Sequence, residues 1–109
     1  MKRCFVIVGA DGKGIISFKA EREGDGRNGT VLFSSESAAR SFLQTKGMVG
    51  GWIAEEIGPD QLRHFINSGA NPLGINGCFP DPLPDVDVFL WRFVPIAEMA
   101  LILESESAL

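Results

Sequence analysis

The chain has one histidine and two cysteines among 109 residues. A structural zinc ion draws about four ligands from such side chains, so this supply argues against a zinc site. His64 stands one position before Phe65 on a helical stretch. A general base there would need a nucleophile and an orienting group, and the neighbouring sequence offers neither; it reads as a solvated helix residue. Positive charge is also scarce. Ten Lys and Arg face fourteen Asp and Glu, for a net charge of −4 and a pI near 4.9. Phosphate backbones and anionic membranes attract clustered basic surfaces, so the expected partners include neither nucleic acid nor membrane. No apolar run reaches the length that crosses a bilayer.

The remaining absences concern motifs. Glu21, Glu23 and Asp25 alternate in a glycine-containing loop, but a calcium loop would need its closing glutamate at Leu32, inside a strand. Asp11-Gly12-Lys13-Gly14 and the glycines from Gly47 to Gly51 lack P-loop spacing and precede strands. A phosphate cradle needs amides converging at a helix N-terminus, so turn chemistry accounts for both clusters. No cofactor and no catalytic residue is expected.

What is present describes a globular chain. The apolar fraction is 45% and the charged fraction 22%, both ordinary for a soluble domain. A chain of this length buries roughly two thirds of its unfolded surface, enough for one core without staples. A single domain over residues 1–109 is expected, with 104–109 an acidic tail that frays because negative charge opposes the dipole at a helix C-terminus. Lys2 and Arg3 before Cys4 to Val8 resemble a signal peptide superficially. The apolar run is short and Asp11 follows at once, so a first strand is the reading. A buried thiol at Cys4 and a loop thiol at Cys78 fit a reducing compartment, hence the cytoplasm.

Along the chain, Cys4 to Val8 and the alternating Ile15 to Glu21 read as a hairpin, followed by an exposed loop over Arg22 to Gly29. Thr30 to Phe33 is an apolar strand. Ser34, Ser35 and Glu36 supply a helix start, and Ala38, Ala39, Phe42 and Leu43 share one face of a helix from Glu36 to about Lys46. Gly47 suits its left-handed cap. Trp52 to Ile57 is ambiguous: Trp52, Ile53, Glu56 and Ile57 fit one helical face, but the segment is short and follows two glycines, and it reads as a strand. Gly58-Pro59-Asp60 opens a second helix whose buried stripe is Leu62, Phe65 and Ile66. Leu73 to Asn76 is a short strand ending in the turn pair Asn76-Gly77. Gly77 to Asp87 alternates proline with aspartate and leucine and reads as an extended loop. Val88 to Val94 is a strand, and Pro95 starts a last helix with Ile96, Met99, Ala100 and Leu103 on one face; a further strand is the rival reading there. These elements add up to an α/β (α+β) fold: a mixed sheet of five to six strands packed by two or three helices.

The stretch Val31 to Asn76 resembles the N-terminal domain of SseB-like (enhanced serine sensitivity) proteins. The likeness rests on a strand ending in Phe33-Ser34, an alanine- and phenylalanine-rich helix, a second strand and helix, and the short segment Leu73-Gly74-Ile75-Asn76. Where that family commonly carries Asn-Pro after the last strand, this chain has Asn76-Gly77, with Asn71-Pro72 earlier. The resemblance implies a small mixed α/β domain and transfers no active residue.

With no nucleophile–base pair in view, the functional expectation is a noncatalytic protein-interaction or regulatory module. A small-molecule-binding domain or small enzyme is the alternative. In a strand from Val88 to Val94, Phe89, Trp91 and Phe93 would point one way. A small core leaves such aromatics over, so Phe89, Trp91, Arg92 and Phe93 form the candidate interface of a homodimer, with Arg92 suited to partial burial beside a carboxylate.

Overall fold

The computed structural model describes residues 4–12, 14–20, 26–58, 60–61, 64, 74–95, 97–99 and 101–102. Among the described residues six strands form one mixed sheet: β1 (Cys4–Gly9), β2 (Phe18–Lys19), β3 (Asn28–Phe33), β4 (Trp52–Ile57), β5 (Gly77–Pro80) and β6 (Val94–Pro95). Helix α1 spans Glu36–Thr45. The order is β4-β1-β3-β5-β6, with β2 also paired to β3. β3 is the axis of the sheet, buried along its whole length. β1 pairs antiparallel with its C-terminal end, Phe5 opposite Phe33 and Val6 opposite Leu32. β2 takes the same side at the other end, Phe18 opposite Gly29 and Lys19 opposite Asn28. β5 runs parallel on the far side, with Thr30 opposite Cys78.

Alternation along these strands divides the core. Ile7, Val31, Phe33 and Phe79 face α1, where Ala39, Phe42 and Leu43 meet them together with Trp91. Cys4, Val6, Leu32 and Cys78 line the opposite face with Ile75, Val94 and Met99. The start of α1 matches its sequence signals: Ser35 Oγ accepts from Ala38 N at 3.2 Å, and Glu36 lies in the first turn. Gly47 takes φ +66, the left-handed conformation that ends a helix at low cost.

Several sequence expectations are corrected. The second strand is cut to Phe18–Lys19 and pairs with β3; the Val8–Ile15 bridge and the bonds from Gly9 N to Gly14 O and from Ile16 N to Ile7 O, both 3.1 Å, keep the hairpin contact. β3 begins at Asn28, inside the expected loop. Of the strand expected over Leu73 to Asn76, Leu73 lies outside the described residues and Gly74 to Asn76 are not strand; a strand follows at Gly77–Pro80, in the stretch read as a proline loop. Asn76-Gly77 is not a turn pair. Asn76 Oδ1 accepts from Asn28 N at 3.0 Å, its Nδ2 donates to Gly26 O at 2.7 Å, and its own N donates to Asn28 O at 2.8 Å. The residue therefore acts as a first rung between β3 and β5. Gly77 follows because a Cβ there would overlap the Phe93 ring and lie 2.8 Å from Val94 O.

The strand over Val88 to Val94 is absent. Val88–Leu90 is a 3-10 turn and only Val94–Pro95 pairs with the sheet. Asp87 Oδ1 accepts from Phe89 N at 3.0 Å, a local cap that competes with extended pairing. The second and third helices are seen only in part. Residues 60, 61 and 64 are helical, as are 97–99 and 101–102. Leu62, Phe65, Ile66, Ile96, Ala100 and Leu103 lie outside the described residues, and so does the 104–109 tail.

Candidate functional site

The sequence-based interface residues do not form one face. Trp91 is 7% exposed. Its ring meets Phe18, Phe42 and Phe79 at centroid distances of 5.4, 5.9 and 5.5 Å, and its Nε1 donates to Leu83 O at 3.0 Å. The loop after β5 turns this side chain inward, so Trp91 belongs to the core and not to an exposed contact. Phe93 is half-buried against Phe79, with the Arg27 guanidinium 5.7 Å from its centroid. Arg92, Phe89 and Leu90 stay exposed.

Cys78 is likewise relocated, from an exposed loop to a fully buried position in β5. Burial, and secondarily the nearby Cys4 thiol, push its pKa from 9.0 up to about 12, the reverse of the lowered value that makes a thiol reactive. Neither cysteine is in a disulfide. His64 is exposed on its helical residues. Among the described residues, no three or more His, Cys, Asp or Glu side chains are grouped to hold a metal ion.

The structure brings together a site the sequence did not single out. β4 lies at one margin of the sheet. β1 covers one of its edges in a six-residue antiparallel register, from Cys4 opposite Ile57 to Gly9 opposite Trp52. Among the described residues the other edge meets only the single Val49–Trp52 bridge. The direction of the backbone groups follows from the neighbouring bonds. Ala10 N donates to Gly51 O at 3.1 Å, so that pair is hydrogen-bonded; Ile7 and Gly9 turn their groups the other way, to Ile16 and Gly14. Antiparallel pairs alternate strictly. Ile53, Glu55 and Ile57 thus direct their N–H and C=O to β1, and Trp52, Ala54 and Glu56 direct theirs outward.

Beside this edge runs a groove of about 270 Å³ between α1 and β4, lined by Arg40, Leu43, Gln44, Val49, Trp52, Ile53 and Ala54. Leu43 forms part of the buried core, and Ala54, with its single methyl, leaves a notch beside Trp52. The Arg40 guanidinium at the rim pairs with Glu36 at 2.6 Å, one turn earlier on α1. Val49 and Ile53 are 68% and 48% exposed, an apolar margin that soluble surfaces tend to hide. The sequence signal was slight. Trp52 to Ile57 reads as a strand, but nothing local says that it is an outer one.

No protein-family model matches the chain, and no curated protein sequence matches it. No helix among the described residues is long and apolar enough to cross a membrane.

Proposed function

We propose that this domain is a noncatalytic protein-interaction module, and that its contact site is the outer edge of β4 with the groove beside it. The observation that carries the reading is the outward-facing backbone of Ala54, to which no strand pairs among the described residues, next to an apolar notch. A sheet edge with unpaired N–H and C=O groups is a template for another strand. The groove's volume, about 270 Å³, falls under the roughly 300–1,000 Å³ usual for small-molecule clefts. It suits one large side chain of an added strand better than an enclosed metabolite. A photo-crosslinking amino acid at Gln44, compared with one at Asp11 on the β1–β2 turn, tests this in lysate of the native cell. Protein adducts specific to position 44 are expected, and equal adduct patterns from both positions would count against the site.

A second reading is kept by the exposure of Phe89 at 42% and Leu90 at 70%. A two-fold homodimer would cover this pair on both copies with one patch. Sedimentation equilibrium on the wild type and Leu90→Glu decides it; a wild type that is monomeric at high micromolar concentration rules the dimer out.

A further inference from the structure

We infer that the groove between α1 and β4 takes a leucine-sized side chain of a partner protein, and that Arg40 at its rim holds a carboxylate two positions away on the same extended segment. The inference rests on the interaction-module reading and adds the chemistry of the partner. It stands on the side chains of the groove. Arg40 is the one charged side chain among the lining residues. Leu43 and Gln44 follow it on α1 by three and four positions, so all three are neighbours on the helix surface, with Arg40 about 5–6 Å from each of the others between Cβ atoms. Leu43 is buried and forms the floor. The half-buried Trp52 and Ala54 supply the facing wall, and the exposed Val49 and Ile53 give it an apolar margin.

Arg40 has donors to spare. Its Nη2 donates to Glu36 Oε1 at 2.6 Å, and among the described residues Glu36 is its one hydrogen-bond partner. A guanidinium carries five N–H donors in a planar fork that matches a carboxylate, so a second carboxylate finds donors that Glu36 does not use. The two side chains are 70% and 52% exposed, and an exposed i,i+4 pair of this kind is weakly held. Glu36 is therefore a competitor that an incoming carboxylate joins or displaces.

Spacing sets the pattern of the segment. In an extended chain, side chains at i and i+2 share a face about 6.6–6.8 Å apart, close to the separation of Arg40 from Leu43. A leucine seated between Leu43 and Ala54 thus brings a carboxylate two residues away within reach of the Arg40 stem. The net charge of the whole chain, −4, acts against such a segment at long range and by itself favours a basic one. A preference for the acidic segment accordingly reports the local charge of the groove and not the overall field.

The test titrates the whole chain, labelled with nitrogen-15, with three peptides: Gly-Ser-Glu-Thr-Leu-Thr-Glu-Ser-Gly, a version with lysine at both glutamates, and a version with alanine at the leucine. The readout is the indole N–H signal of Trp52, with that of the core residue Trp91 as internal control. The glutamate peptide should shift the Trp52 signal alone and bind about fivefold more tightly than the lysine peptide. The alanine peptide should lose most of the affinity. Arg40→Gln should erase the preference for glutamate, and Glu36→Gln, which removes the competitor, should tighten binding about twofold; both change exposed side chains and leave the core intact. Ala54→Leu fills the notch and should abolish binding. Equal affinity for the glutamate and lysine peptides, or a lysine preference, would overturn the acidic partner; loss of that binding in Ala54→Leu would still leave the groove as the contact site. Tight binding of 4-methylpentanoate, equal to that of the glutamate peptide, would replace the protein segment by a small carboxylate and overturn the inference. No shift at Trp52 with any peptide would overturn it too, and the crosslinking pattern at Gln44 then decides the interaction reading separately.

Discussion

Truncating Trp91 separates a core residue from an interface residue by a measurable criterion. The side chain is 7% exposed within one protomer and touches three aromatic rings. Trp91→Ala deletes a buried aromatic and leaves a cavity that neighbours from three elements cannot jointly fill, at a cost of about 3–5 kcal/mol. Against a total stability of roughly 5–15 kcal/mol for a domain, that brings the chain close to unfolding. Trp91→Phe keeps an aromatic ring and loses the bond from Nε1 to Leu83 O. Leu83 O still accepts from Val86 N at 3.1 Å, so no acceptor is stranded, and the hydrogen-bond loss is about 1 kcal/mol. Urea melts followed by far-UV circular dichroism should order the variants wild type, Trp91→Phe, Trp91→Ala. The midpoints should be independent of protein concentration, because every contact is internal. An interface tryptophan would behave otherwise: its truncation would matter only where the oligomer forms, and the wild-type midpoint would rise with concentration. A Trp91→Ala cost under about 1 kcal/mol, or a midpoint gap between variants that grows with concentration, would refute the core assignment.

Three further outcomes are expected. Asn76→Ala removes the side-chain acceptor of the part-buried Asn28 N–H while keeping the backbone bond from Asn76 N to Asn28 O, and should cost about 1–3 kcal/mol in urea melts; Asn76→Asp, which keeps the acceptor, should recover part of it. Gly77→Ala forces a Cβ into the Phe93 ring and toward Val94 O and should cost about 1–3 kcal/mol by overpacking, an effect that Phe93→Ala in the same chain should relieve. Stability should fall with rising pH from about 9 toward 12, because the Cys78 thiol holds its proton in the fold up to about 12 and releases it near 9.0 in the unfolded chain. Its contribution is whole below that window and declines inside it by about 1.4 kcal/mol per pH unit. Cys78→Ala should flatten the decline, and identical slopes for the two proteins would show that the thiol is not the group responsible.

Local chemistry alone determined much of the middle of this chain. Ser35, Glu36 and Gly47 bound α1 in the sequence as they do in the structure, because caps and left-handed glycines act over one turn of backbone. The short apolar stretches Cys4 to Val8 and Thr30 to Phe33 are strands for a similarly local reason: their side chains suit a pleated surface; Trp52 to Ile57, with Glu55 and Glu56 in it, fits a helical face as well and is a strand because it pairs with β1 along six residues. Tertiary contact decided the rest. Gly77 reads as a turn residue until the Phe93 ring lies over it, and Asn76 reads as its turn partner until Asn28 supplies a distant amide. Phe89, Trp91 and Phe93 look like one face of a strand only while Asp87 is ignored; the capped turn it starts rotates Trp91 into the aromatic core. The same limit applied to the candidate site. Trp52 to Ile57 carries only an ambiguous strand signal, and whether both of its edges are covered depends on where β1 and β3 lie; strand order is a property of contacts far apart in the chain. Hydrophobic pattern and capping are written residue by residue, whereas a sheet margin exists only once the other strands have taken their places.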